Sequence, residues 1–131
     1  MAHWSDKYVG QEYCIMTNDC GTFAVRVARD EFGKKVALPT HVPRSVREQQ
    51  ARILLEIGKD YGTPTDSPVE GDIVLMMTRN KFPHVGLYSL INGEPWVIHS
   101  LVATGVCAHR LRDLGNHNLA FHSYYSWLEQ E

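Results

Sequence analysis

Cysteine is scarce in this chain, with only Cys14, Cys20 and Cys107 among 131 residues. Three thiols cannot all pair with one another and no C-x-x-C spacing occurs among them, so a disulfide framework is not expected. There is no H-E-x-x-H segment and no phosphate-binding glycine loop, which removes the usual sequence routes to a zinc hydrolase or a nucleotide enzyme. Neither a metal ion nor another cofactor is therefore expected. Charge of one sign is also lacking: a formal net charge of -2 gives no basic footprint for nucleic acid or an anionic membrane surface. No apolar run approaches the roughly 20 residues that span a bilayer, and the opening Met1-Ala2-His3-Trp4-Ser5-Asp6-Lys7 lacks the apolar stretch of a signal peptide. The chain is expected to be cytoplasmic as synthesised, unless a larger assembly such as a virion tail carries it outward. Internal repeats and low-complexity tracts are missing too.

What is present is ordinary globular material, 44% hydrophobic and 21% charged, in a length that suits one domain over residues 1–131. Cys20, Phe23, Ala24, Val27 and Phe32 recur at helical spacing, Asn18 or Asp19 can cap the first turn, and Gly33 stops the segment. Ser45-Val46-Arg47-Glu48 fits a capping box and opens a second expected helix that ends at Gly58. Between Tyr61 and Gly71 the composition is that of a loop. Strands are expected at Ile73–Met77, in a hairpin over 84–101, at Gly105–Leu111 and at Ala120–Tyr125. Helices first and strands second indicate an α+β domain, its N-terminal helices packed on a mostly antiparallel sheet of about five strands.

The hairpin can be registered from residues alone. Asn92-Gly93 is the strongest short signal for a two-residue type I′ turn, so Ile91 faces Glu94. Counting outward, Gly86 faces His99 and His84 faces Leu101, which places both histidines on one face as diagonal neighbours roughly 7 to 8 Å apart. Gly86 leaves room for the ring of His99. A slip of one residue would send the rings to opposite faces.

Cys20 at a helix start, with these two histidines, supplies a nucleophile, a base and a group to orient the base. A thiol attacks as thiolate, and bringing it from about 8.5 to roughly 4 takes some 6 kcal/mol, of which a helix N-terminus contributes at most about 2. The remainder is expected from an imidazolium, and His84 is the candidate. His99 then holds the ring of His84 in the useful tautomer. Cys14 and Cys107 read as small buried hydrophobes.

These residues resemble the NlpC family of papain-like cysteine peptidases, over most of the chain. Y-V-G-Q-E-Y is similar to the family's opening, D-C-G-T-F to its nucleophile helix, G-D-I-V-L-M to its first core strand, and H-V-G-L-Y and V-I-H-S to the strands bearing its base and third polar residue. The resemblance implies Cys20 as nucleophile, His84 as base and His99 as orienter. It places Tyr13, Asp19 and Gly21 at the substrate side, with Asp19 and Asp72 equally suited to structural duty. Gly21 stands where the family usually has serine, and Thr22 where it usually has glycine. The Arg29-Asp30-Glu31-Phe32-Gly33 helix end, Leu38-Pro39 after it and G-V-C-A-H-R-L-R-D-L are most similar to versions encoded with bacteriophage tail proteins. The implied substrate is the peptidoglycan stem peptide, of γ-D-glutamyl-diaminopimelate type, and phage tail proteins are the implied partners. Other readings stay open: a cysteine- and histidine-dependent amidohydrolase, an acyltransferase using the same thioester, or a tail or assembly subunit without activity.

Overall fold

The computed structural model describes residues 3–14, 18–38, 61–79 and 83–129. The helix expected from Ser45 to Gly58 lies outside them.

Helix α1 (Cys20–Phe32) starts where the sequence asks for it. The Asp19 carboxylate accepts from the Thr22 backbone N–H, and the Thr22 hydroxyl in turn accepts from the Asp19 N–H, both at 2.9 Å. Two donors that a helix start otherwise leaves without partners are thereby satisfied. At the other end Gly33 adopts φ 64°, the left-handed conformation that favours glycine, and its N–H closes on the last carbonyls.

Six strands form one sheet: β1 (Gly62–Thr65), β2 (Ile73–Thr78), β3 (Pro83–Ile91), β4 (Glu94–Leu101), β5 (Gly105–Arg110) and β6 (Leu119–Trp127). Their spatial order is β1-β6-β2-β3-β4-β5, with every neighbouring pair antiparallel. The class is α+β and the sheet antiparallel, as expected, with six strands among the described residues where about five were expected. The additional strand, β1, lies within the stretch expected to be loop. Among the described residues it pairs only with β6, Pro64 opposite Tyr125, and this edge position is one a proline tolerates because its missing N–H is needed on one side only.

Alternation along the strands divides the core in two. On one face Phe23, Ala24 and Val27 of α1 pack with Ile73, Leu75, Val85, Leu87, Ile98 and Val106. On the other, Val74, Met76, Tyr88 and Val97 lie beneath Leu114, from the 3-10 segment Leu111–His117, and Leu119. The hairpin has the expected register, with Ile91 opposite Glu94 and Leu87 opposite Ile98. Its turn uses φ 53° at Asn92 and φ 76° at Gly93, the two positive values that a type I′ turn requires.

Candidate active site

Carrying that register one step past Leu87 brings Gly86 against His99, and a Cβ built on Gly86 would lie 2.8 Å from the His99 Cβ. The missing side chain is what lets the ring of His99 lie over β3. His84 and His99 then meet as the spacing predicts: His84 Nε2 and His99 Nδ1 are 2.9 Å apart, with His99 fully buried and His84 nearly so. The other nitrogen of His84, Nδ1, is left for a different partner.

Cys20 approaches from the helix. Asn18, almost fully buried, fixes the segment that leads into α1. Its carbonyl accepts from Ser100 Oγ on β4 at 2.7 Å, its side-chain amide donates to the Glu12 carbonyl at 2.7 Å, and its Oδ1 accepts from the Arg26 guanidinium at 2.6 Å. Cys20 thus enters at the end of the sheet, where backbone hydrogen bonds from Val85, Gly21 and Cys20 itself favour its thiolate. Cys20, His84 and Tyr13 line one cavity of about 440 Å³, together with Arg79, Ser100 and His117. The predicted nucleophile, base and lining tyrosine are therefore brought together. Asp19 instead caps α1, and Gly21 is buried in its first turn.

Electrostatics differ from the sequence expectation. Burial pushes the Cys20 thiol up to about 11 and the His84 imidazole down to about 4. Exchanging the proton between them spans about seven pKa units, hence about 9 kcal/mol. Even at a separation of about 4 Å, attraction between the resulting charges would return only about 4 kcal/mol at an effective dielectric of 20. At rest the pair is thiol and neutral imidazole, not the thiolate–imidazolium pair that the sequence suggested. Cys14 departs from expectation as well, since it is exposed; Cys107 is half-buried, and all three thiols are free.

Two further histidines went unnoticed in the sequence. His99 Nε2 lies 2.9 Å from His109 Nδ1 on β5, and the rings of His109 and His117 stack with centroids 3.7 Å apart. A neutral imidazole carries one proton, so the chain His84–His99–His109 has a direction. When each ring is protonated at Nε2, His84 donates to His99, His99 donates to His109, and His84 Nδ1 is free to act as a base. Reversal would put a proton on His84 Nδ1. The signal was available: His99 faces Cys107 across β4 and β5, so a histidine two residues along lands diagonally on the same face.

No family model matches this chain, and neither does any curated protein with which it was compared.

Proposed function

We propose that the chain is a cysteine peptidase of the NlpC, papain-like type that hydrolyses peptide bonds in the peptidoglycan stem. The observation that carries this reading is the buried His84 Nε2 to His99 Nδ1 hydrogen bond at 2.9 Å, which orients His84 in the cavity it shares with Cys20. Because the resting pair is neutral, attack and proton transfer occur together: His84 Nδ1 takes the thiol proton as the sulfur bonds to the carbonyl carbon. The backbone N–H of Cys20, at the start of α1, donates to the developing oxyanion, a contact worth about 2.7 to 4 kcal/mol. Collapse of the tetrahedral intermediate breaks the C–N bond and hands the proton from His84 to the leaving amine. A thioester on Cys20 remains. Water then attacks it with His84 as base, releasing the acid and restoring the thiol.

The cavity walls suit an acidic peptide. Arg79 stands exposed at the rim, and no Asp or Glu occurs among the lining residues described. A γ-linked D-glutamyl unit keeps a free α-carboxylate, and a guanidinium is the side chain best shaped to hold one. Association with phage tail proteins belongs to the same reading and accounts for delivery to the wall.

Incubation with purified murein fragments, followed by mass analysis and labelling of new amino ends, tests the proposal. Cleavage within the stem by the chain, and none by Cys20→Ala, supports it. Intact fragments after prolonged incubation reject it.

A further inference from the structure

Beside the candidate active site, on the face away from α1, three metal-binding side chains converge. His99 on β4 faces Cys107 on β5, and His109 lies two residues further along β5. Their donor atoms, His99 Nε2, Cys107 Sγ and His109 Nδ1, all lie within 4.8 Å of one another. Tetrahedral zinc with Zn–N near 2.0 to 2.1 Å and Zn–S near 2.3 Å places nitrogens about 3.3 Å apart and nitrogen and sulfur about 3.6 Å apart. The observed 2.9 Å between the two nitrogens would open by about 0.4 Å, and the 3.9 Å from Cys107 Sγ to His109 Nδ1 would close by about 0.3 Å. The remaining pair, within 4.8 Å, closes by at most about 1.2 Å, within reach of a rotamer adjustment of the half-buried Cys107. Two imidazoles and one thiolate form a donor set that suits Zn²⁺. His117 stacks on His109 outside this set of three donors, so the fourth position of a tetrahedral ion is left to water.

We propose that His99, Cys107 and His109 form a zinc site that switches off the neighbouring base by reversing its tautomer. This consequence rests on the assignment of His84 as base to Cys20. Metal-free, His84 Nε2 donates to His99 Nδ1 and leaves His84 Nδ1 unprotonated. A metal ion on His99 Nε2 displaces the proton there, which moves to His99 Nδ1. His99 now donates to His84 Nε2, whose own proton moves to Nδ1, the atom that must receive the thiol proton. Three rings keep three protons throughout, and the single proton lost to solvent is that of the Cys107 thiol.

Two measurements on the full chain test this without relying on peptidase activity. In the first, Co²⁺ is titrated into Cys20→Ala protein, where the candidate nucleophile is absent. The expected result is one equivalent bound, with thiolate-to-cobalt charge-transfer absorption that disappears when Cys107→Ser is added and an affinity weakened at least about tenfold by His109→Ala. Absence of that band, or its survival in the Cys107→Ser background, overturns the site. In the second, nitrogen NMR of the histidine rings is recorded with and without Zn²⁺ in otherwise unaltered protein. The unprotonated nitrogen of His84 is expected to change from Nδ1 to Nε2 on saturation, and to stay at Nδ1 in Cys107→Ser. An unchanged His84 in the zinc-loaded protein overturns the switch. Failure of the peptidase reading would show separately, as intact murein fragments in metal-free buffer.

Discussion

His84 and His99, fifteen residues apart in the chain, meet through a 2.9 Å bond between Nε2 of the first and Nδ1 of the second, in a region from which water is excluded. Removing His99 by His99→Ala leaves the His84 N–H without an acceptor in that dry setting, at a cost of about 1 to 3 kcal/mol. It also frees the ring to take the wrong tautomer. We expect kcat to fall about 10²- to 10⁴-fold with KM little changed, and His99→Gln, whose amide oxygen can still accept, to recover part of the loss. Steady-state kinetics on a stem peptide measure this, and an unimpaired His99→Ala would remove His99 from the site.

That meeting was legible because Asn92-Gly93 fixes one turn and the register then follows by counting. The Cys20 helix was legible for a similar reason, since Asp19 and Gly33 mark its ends and its apolar period is regular. Legibility ended where partners are chosen at long range. β1 reads as loop because Gly62 and Pro64 are poor strand formers, and only β6 beside it supplies the ladder. His109 joins the histidine chain through pairing of β4 with β5, which no comparably strong turn announces. The exposure of Cys14 and the neutrality of the Cys20–His84 pair are properties of burial, which a residue type does not specify.

Gly86→Ala probes the close approach of the strands. The new Cβ would lie 2.5 Å from Val97 Cγ2, 2.8 Å from His99 Cβ and 3.0 Å from the Ile98 carbonyl oxygen, all in fully buried surroundings. Overpacking of this kind costs about 1 to 3 kcal/mol, and here the strain pushes His99 away from His84. The urea midpoint should drop and activity should fall more than stability explains. A variant as stable and as active as its parent would contradict the packing described.

Arg79 at the cavity rim gives a separate handle on the substrate. Arg79→Gln should raise KM about tenfold or less for a peptide with a free D-glutamyl α-carboxylate, and leave kcat nearly unchanged, since exposure weakens the pairing. The same substitution should hardly alter KM for a peptide amidated at that carboxylate. Equal effects on both peptides would mean that Arg79 reads no charge there.

Alkylation distinguishes a neutral resting thiol from a preformed ion pair. With Cys20 buried and its thiol at about 11, iodoacetamide at neutral pH should label exposed Cys14 first, Cys107 next and Cys20 last. Labelling of Cys20 should then accelerate as the pH rises. Peptide mapping reads the order directly, and fastest labelling at Cys20 below neutrality would show that the attraction between the two charges outweighs their burial.

Acid should destabilise the fold in a defined window. Burial holds His84 near 4 and His99 well below its ordinary 6.5, so both rings are neutral in the folded chain while the unfolded chain protonates them near 6.5. Between those values the unfolded state binds more protons, and stability therefore falls as the pH drops. Above about 7.5 neither state holds a proton on these rings beyond the neutral one, and their contribution is constant. For His84 alone the loss is about 2 kcal/mol on going from pH 7.5 to 5, growing to about 3 near pH 4. Most carboxylates titrate lower, so they leave the upper part of this window to the histidines. Urea unfolding at both pH values measures the difference, and a His84→Asn variant, with nothing to titrate at that position, should lose about 2 kcal/mol less than its parent over the interval. Identical pH dependence in the two proteins would mean that His84 already carries a proton in the fold, and with it the case for a neutral base beside Cys20 would be lost.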